Sequence, residues 1–261
     1  NCMKISKDEV VPSFSHQHAP IVRIERGTRL QIETRDCFND ELISEKQLPT
    51  QLATDGSNPV TGPIVIEGAK RGQTLKVHIH SIQLRDWGVI STFPDDGVLV
   101  HRSETEVKIV DIAEDTVFFD EETTFPIRPM VGVIGVAPED GPIDSMYPGN
   151  HGGNLDTPVI TEGATLYLPI FHDGAYFALG DVHAAMGDGE ICGTGVETGA
   201  VIDVTIDVVD TSIPRPFVET KDAWYAVAHH DTTDRAIRRV AEDMQTYIVE
   251  HWEMTPTEAF L

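Results

Sequence analysis

A short pattern that begins with glycine recurs along the chain and constrains its fold more than any other feature. Aliphatic residues follow the glycine at positions +3 and +5, and the glycines are Gly27, Gly72, Gly163 and Gly199. A glycine turn that leads into an alternation with a period of two is typical of a strand with one buried face. Four copies therefore predict a sheet-rich protein.

The clearest predicted strands are Arg29–Thr34, Thr74–His80, Thr165–Phe171 and Val201–Val209. A further strand is predicted at Val107–Ile112. In the Thr74–His80 strand the aliphatic residues alternate with polar ones, so His78 and His80 share the solvent face. They are either a pair of metal ligands or solvated surface histidines. Residues 130–136 are continuously apolar, which predicts a strand buried on both faces.

Helical periodicity is convincing only after residue 230. The apolar positions that share one helix face are Ile237, Val240, Ala241, Met244 and Ile248. Thr232 or Thr233 is the expected N-cap, and Thr255-Pro256 begins a second helix with a capping box. We therefore predict a mainly β fold, with a β-sandwich-like body over residues 1–210 and a smaller α+β C-terminal part over 211–261.

The charge of the chain excludes some partners. Acidic residues number 43 against 19 basic ones, which gives a formal net charge of −24. Such a surface repels nucleic acid and anionic lipid, whereas a small neutral substrate is not repelled. Both adaptation to a salty cytoplasm and an ordinary acidic bacterial enzyme fit this balance.

The cysteines and the apolar runs indicate where the protein resides. Cys2, Cys37 and Cys192 match no zinc or disulfide framework, and no apolar run approaches the roughly 18–20 residues of a membrane span. We expect a cytoplasmic protein that does not bind membranes.

Two polar clusters carry the candidate chemistry, Asn150–Asp156 and Gly180–Glu190. Between them the sequence predicts a β-hairpin, with strands at 165–171 and 175–179 and a turn at 172–174. A hairpin brings its two open ends together, so we expect both clusters on one rim. The residues that can bind a metal there are His151, Asp156, Asp181, His183, Asp188 and Glu190.

These residues also carry a family resemblance. His-Gly-Gly-Asn-Leu-Asp (151–156), followed by Gly-Asp-x-His-Ala-Ala-x-Gly-Asp-Gly-Glu (180–190), resembles the paired signature of the acetamidase/formamidase family. Residues 15–20, 58–64 and 67–69 are similar to further family motifs, and the likeness extends from about residue 13 to Leu261. It implies a jelly-roll-like β-sandwich, a homodimer, and hydrolysis of a short aliphatic amide such as formamide or acetamide to carboxylate and ammonia. It also implies that the C-terminal part is shorter than in the family.

Amide hydrolysis needs an activated water, stabilisation of an oxyanion and a proton for the leaving amine. A zinc ion supplies the first two when three or so protein ligands leave a position open. We predict Asp36, Asp156 and His183 as zinc ligands, with His151 as a fourth candidate. Asp36 is included because it ends a strand in a stretch that also resembles the family.

Each of these assignments has a plainer alternative. Asp36 is otherwise a solvated aspartate at a strand end, and His183 a histidine that holds its loop through hydrogen bonds. His16 and His18, two residues apart, are an alternative ligand pair.

Other residues are expected to act on the substrate or to orient the ligands. Glu190 is the candidate general base and proton shuttle, unless backbone amides of its turn bind it. Gly153 and Asn154, together with Gly152, are candidate donors to the oxyanion, unless the glycines only form a turn. Asp181 and Asp188 are expected to orient ligands or to cap the turn.

Two residues depart from the family pattern. Met186 stands where glutamine is usual and Val182 where a small residue is common. Loss of an amide side chain beside the ligands removes a polar contact, so the substrate preference, or even the activity, is expected to differ.

Two other functions remain open at this point. One is a cysteine amidase of the nitrilase type through Cys192, although no lysine lies between Lys108 and Lys221. The other is a non-catalytic module that binds calcium or sugar through acidic loops at 188–190 and 95–97. A structural Ca²⁺ at these loops is also compatible with catalysis.

Overall fold

The computed structural model describes residues 2–52 and 58–261. The first strands in chain order are β1 (Met3–Ile5), β2 (Val10–Val11), β3 (Ser13–Phe14), β4 (Val22–Ile24), β5 (Thr28–Thr34), β6 (Val60–Ile66), β7 (Thr74–Leu84), β8 (Trp87–Ser91), β9 (Val107–Ala113), β10 (Thr116–Phe118) and β11 (Thr124–Pro126). The remaining strands are β12 (Met130–Gly135), β13 (Ile143–Asp144), β14 (Pro148–Gly149), β15 (Gly152–Asn154), β16 (Thr165–Pro169), β17 (Phe177–His183), β18 (Glu197–Thr198), β19 (Ala200–Val209), β20 (Phe217–Glu219) and β21 (Trp224–Ala226). The helices are α1 (Thr233–Trp252) and α2 (Pro256–Phe260), with short 3₁₀ turns at Pro49–Gln51 and Val100–Arg102.

Most strands belong to two large sheets. The seven-stranded sheet has the order β1-β5-β19-β7-β16-β20-β21. The twelve-stranded sheet follows the path β11-β10-β9-β8-β18-β17-β12-β15-β14, and β6 pairs with β17 and carries β2 and β4. The short pair β3–β13 stands apart from both.

The main hydrophobic core lies between these sheets. Ile32 and Val77 of the seven-stranded sheet belong to the same buried cluster as Ile134, Phe177 and Leu179 of the twelve-stranded sheet. This arrangement is the β-sandwich expected from the alternating sequence pattern, in which each sheet turns one face inward.

The predicted strands are confirmed, with small shifts at their ends. Their observed counterparts are β5, β7, β9, β16 and β19. The two longest alternate buried and partly exposed residues along most of their length, as the period of two requires. All six residues of β12 are buried, as the continuous apolar run predicts.

The predicted hairpin between the two polar clusters is wrong. β16 pairs with β7 and β20 in the seven-stranded sheet, whereas β17 pairs with β12, β18 and β6 in the other sheet. The connection crosses between the layers, with Ala175 and Tyr176 both at positive φ, 63° and 59°. Two consecutive left-handed residues redirect the chain in a way that alternation alone does not reveal.

The C-terminal helices begin where the sequence predicts. The Thr232 hydroxyl accepts a hydrogen bond from the Arg235 amide at the start of α1, and Thr255 and Glu258 form the capping box of α2. Strands β20 and β21 extend the seven-stranded sheet, so residues 217–226 join the layer formed by the preceding chain. Within the described residues, neither helix has the length and apolar character needed to cross a bilayer.

Candidate active site

The two polar clusters meet at β12, which lies between β15 and β17. The amides of Leu155 and Asp156 both donate to the carbonyl oxygen of Gly132, at 3.0 and 3.1 Å. Asp181 lies on β17 between Gly180 and Val182, which pair with the neighbours of Gly132. Strand β12, and not a hairpin, therefore brings the clusters together.

Gly132 leaves room for both carboxylates. A Cβ atom at this position would lie 2.5 Å from Asp181 Oδ2 and 2.7 Å from Asp156 Oδ1. Since real Cβ atoms do not approach oxygen so closely, any other residue would push the two carboxylates away.

Four carboxylates surround the imidazole of His183, which is fully buried. The distances from His183 Nε2 are 2.9 Å to Glu197, 3.2 Å to Asp181, 3.8 Å to Glu190 and 3.9 Å to Asp156. One imidazolium balances one carboxylate, so the cluster carries more negative charge than its own residues neutralise.

Three of these carboxylates are on residues with unusual backbone conformations. Asp156, Asp181 and Glu190 have φ values of 41°, 55° and 46°. Residues other than glycine rarely adopt positive φ, and such strain is concentrated at functional sites. The backbone is thus strained at the residues that bring carboxylates together.

Burial and mutual repulsion shift the pKa values of the cluster. Burial, reinforced by the charge of Asp181, raises the pKa of Asp156 to about 6. Burial together with Glu197 raises the pKa of Asp181 to about 7, and burial together with Asp156 raises the pKa of Glu190 to about 9. Near neutral pH and without a bound cation, Glu190 is therefore largely protonated and Asp181 about half protonated, whereas Asp156 is mostly ionised.

His183 and Glu197 form the charged pair at the centre. Burial disfavours the imidazolium of His183, but Glu197 and Asp181 outweigh this effect and hold its pKa well above the ordinary value. Burial likewise disfavours ionised Glu197, but His183 outweighs it and lowers the Glu197 pKa.

The cluster lies at the base of an open cavity of about 650 Å³. Its lining residues are Cys37, Phe38, Asn58, Phe93, Asp95, Asp96, Gly97, Val98, Met146, Asn154, Asp156, Asp181, Gly189, Glu190, Ile191, Gly193 and Glu197. No lysine or arginine is among these described residues. The cavity therefore combines apolar walls with a floor that is rich in carboxyl groups.

Several buried polar atoms of the site have no hydrogen-bond partner within the described chain. They include His183 Nδ1, Asp156 Oδ1 and Glu197 Oε1. Two sets of three residues could each hold a metal ion, because the ligand atoms within each set lie within 4.8 Å of one another. The sets are Asp156–His183–Glu190 and Cys37–Asp181–Glu197. Unpartnered buried atoms, excess negative charge and histidine–carboxylate donors together fit a divalent metal ion.

The structure brings together three of the residues that the sequence singled out, Asp156, His183 and Glu190. Asp181, expected in a supporting role, also contacts His183. It lies within strand β17, whereas Asp188 is exposed on the following loop.

Asp36 directly precedes Cys37 and Phe38 of the cavity lining and is fully buried. Its Oδ2 accepts a hydrogen bond from Arg85 at 2.8 Å, and its Oδ1 accepts from the amides of Phe38 and Asp40. Both oxygens are engaged, so this carboxylate fixes the turn that carries Cys37. It is not the solvated aspartate of the alternative interpretation.

His151 is buried away from the carboxylate cluster. Its ring packs edge-on against Phe14, with ring centroids 5.1 Å apart, and neither ring nitrogen has a hydrogen-bond partner among the described residues. Burial, with a smaller effect of His229, lowers its pKa to about 4. It belongs to neither set of ligand atoms.

The two expected oxyanion donors differ in position. Gly153 pairs with Ile134 and Pro148 inside the sheet and is absent from the described lining of the cavity. Asn154 does line the cavity, but its backbone amide donates to Tyr147 O and its Nδ2 to Met146 O. What Asn154 offers is a buried, unpartnered Oδ1, which is an acceptor.

The remaining histidine pairs lie elsewhere. His78 and His80 hydrogen-bond Thr165 and Thr205 on the seven-stranded sheet. His18 hydrogen-bonds Ser13, and the ring of His16 stacks on that of His172.

Two residues of the site were missed in the sequence, Glu197 and Cys37. Glu197 lies in the two-residue strand β18, and Cys37 on the turn after β5. The available signal for Glu197 is a single carboxylate in the otherwise uncharged stretch 191–202. Because an acidic residue is almost never fully buried unless it is paired, a glutamate in such a stretch indicates a buried carboxylate with a partner.

Fold and site together define a mainly β protein with a buried carboxylate–histidine centre at the base of an open cavity. The chain belongs to the Acetamidase/Formamidase family, which it matches over residues 6–146 and 142–222. It is similar to the crystal structure of an acetamidase from Bacillus halodurans, with 36% identity and a TM-score of 0.96 over 99% of this chain and 88% of that one.

Two curated relatives match over shorter segments. An acetamidase from Mycolicibacterium smegmatis is 41% identical over 64 residues, 24% of this chain. A formamidase from Methylophilus methylotrophus is 31% identical over 70 residues, 26% of this chain. These matches span 16% and 17% of the lengths of the two relatives.

Proposed function

We propose that the protein is a metal-dependent amidohydrolase that cleaves short neutral amides, such as formamide or acetamide, to carboxylate and ammonia. The observation that carries this proposal is the convergence of four carboxylates on His183 Nε2, all within 4 Å. Family membership and the names of the relatives support the reaction class.

Asp156 and His183 would hold the metal ion, with Glu190 beside them. We propose zinc, because histidine and carboxylate donors with an open side suit a catalytic zinc site. Zinc at such a site would lower the pKa of a bound water to about 7 and would polarise a carbonyl oxygen.

Glu190 is proposed to move the proton. Its Oε1 lies 3.8 Å from His183 Nε2 and its side chain lines the cavity, so it reaches both the ligands and a bound substrate. Once a bound cation favours its ionised form, this carboxylate can take a proton from the attacking water and give it to the leaving nitrogen. The alternative role of Glu190 is to accept hydrogen bonds from the backbone amides of its turn. In that role it could not transfer the proton.

The cavity walls favour a small, uncharged substrate. Phe38, Phe93 and Ile191 provide apolar surface for a short alkyl group. Asn154 Oδ1, buried and unpartnered, can accept a hydrogen bond from the N–H of an amide. The carboxylates at the floor of the cavity disfavour anionic substrates and help to expel the carboxylate product.

Ammonia release tests this proposal. The purified chain is assayed with formamide and acetamide as prepared, after chelation, and after zinc is restored. Chelation should abolish release and zinc should restore it. Asp156→Asn should abolish release as well, whereas Asp188→Asn, an exposed aspartate near the same site, should leave it unchanged. Full activity in the chelated protein would refute the metal-dependent mechanism.

A further inference from the structure

The second set of ligand atoms shares no residue with the Asp156–His183–Glu190 set. Cys37 Sγ and carboxylate oxygens of Asp181 and Glu197 lie within 4.8 Å of one another, and all three residues are buried. Glu197 is almost completely buried, and its Oε1 has no hydrogen-bond partner in the described part of the chain.

The two sets are adjacent. His183 Nε2, of the first set, lies 2.9 Å from Glu197 Oε2 and 3.2 Å from Asp181 Oδ1, both of the second. Asp181 and Glu197 therefore stand between the His183 imidazole and the Cys37 thiol. A second cation at this place would share one cavity and one substrate with the first.

The charge count supports two cations. Four carboxylates converge on one imidazole, and the described lining of the cavity offers no lysine or arginine. Arg85, the nearby cation, is occupied by Asp36 and Asp40. Together with a Cys37 thiolate, the four ionised carboxylates carry five negative charges, so one divalent ion leaves three unbalanced and two divalent ions leave one.

We propose that Cys37, Asp181 and Glu197 bind a second divalent metal ion, so that the site is a two-metal centre with one thiolate ligand. The inference rests on the proposed function for the first ion, held by Asp156 and His183 with Glu190 beside them. A thiolate donor selects a borderline-soft ion such as Zn²⁺ or Co²⁺ over Ca²⁺ or Mg²⁺. Paired metal ions stabilise the attacking and leaving groups of a hydrolysis together.

Cys37 is well placed for this role. Its turn is fixed by the buried Asp36 carboxylate, which accepts from the amides of Phe38 and Asp40. The Cys37 carbonyl oxygen accepts from the amide of Asn58 at 2.9 Å. Because hydrogen bonds fix the backbone around Cys37, little conformational entropy is lost when its thiol binds a metal ion.

Cobalt titration tests the proposal directly. The chelated full chain is titrated with Co²⁺, while bound metal is measured by mass spectrometry and the thiolate-to-cobalt charge-transfer band by absorption. The chain has three cysteines. The Cys2→Ser/Cys192→Ser double variant leaves Cys37 as the sole thiol and replaces none of the described lining residues of the cavity.

The expected result is two equivalents of cobalt and a thiolate band, both retained in the double variant. Cys37→Ser should bind one equivalent and lose the band. One equivalent with no thiolate band in the double variant would overturn the second site, and so would two equivalents in Cys37→Ser. If amide hydrolysis still depended on that single equivalent, the proposed function would stand. Hydrolysis by protein that binds no metal would refute both.

Discussion

Replacement of Arg85 by methionine should destabilise the protein strongly, because it leaves the buried carboxylate of Asp36 without its positively charged partner. Asp36 is fully buried, and Arg85 donates to it at 2.8 Å, to Asp40 at 3.0 Å and to the carbonyl oxygen of Trp87 at 3.1 Å. Breaking a buried pair by removal of one partner costs about 3–5 kcal/mol. Asp36 Oδ1 keeps two backbone donors, so the lower end applies.

For a chain of this size, about 3 kcal/mol corresponds to a fall in Tm of about 6–12 °C. The measurement is thermal unfolding followed by circular dichroism, with zinc at saturation. The matched control is Arg71→Met, which removes an exposed pair with Glu139 of the same 2.8 Å length and should change Tm little.

A double variant separates charge from packing. Asp36→Asn in the Arg85→Met background removes the stranded charge and should recover part of the lost Tm. The single variant should also lose more stability at high pH than at low pH, since burial already raises the pKa of Asp36. If Arg85→Met lowered Tm no more than Arg71→Met, the structural role assigned to Asp36 would be refuted.

Three further predictions concern the site. Gly132→Ala should abolish metal binding because its Cβ would overlap both Asp181 and Asp156, whereas Gly187→Ala, whose Cβ would meet open space, should retain it. Metal analysis decides, and retention in Gly132→Ala would contradict the assigned geometry. Between about pH 6.5 and 9 the Tm of the chelated protein should fall as pH rises, because the carboxyl groups with raised pKa values still hold protons in the folded state that the unfolded state has already lost. Saturating zinc should flatten this dependence of Tm on pH. An equally flat dependence without zinc would contradict the prediction. Cys192→Ala should keep full ammonia release that a chelator abolishes; loss of activity together with chelator resistance would favour a cysteine nucleophile.

The fold followed from sequence wherever one local pattern dominated. Alternation located β7 and β19, and the threonine caps located α1 and α2, because these signals depend on neighbours in the chain. The connection from β16 to β17 was mistaken for a hairpin, since the sheet that a strand joins is decided by distant partners. Left-handed residues at 175 and 176, which turn the chain towards the other layer, have no clear signature in Ala-Tyr.

The candidate site was only partly accessible to sequence reasoning. Asp156, His183 and Glu190 stand in dense motifs, so their chemistry was visible before their geometry. Glu197 and Cys37 join the cluster only through tertiary packing, from a two-residue strand and a distant turn. His151, in the same motif as Asp156, is directed into a separate buried position against Phe14.

The central claim is that the carboxylates around His183 converge in order to hold a cation. Calorimetric titration of the chelated chain with Zn²⁺ at neutral pH tests it most directly, with wild type compared against Asp156→Asn/Glu190→Gln. The account predicts tight binding by the wild type with release of protons, because Glu190 and His183 are protonated at neutral pH without the ion and must lose those protons, and it predicts loss of at least one bound ion in the double variant. Absence of binding by the wild type, or identical binding by the double variant, would contradict it.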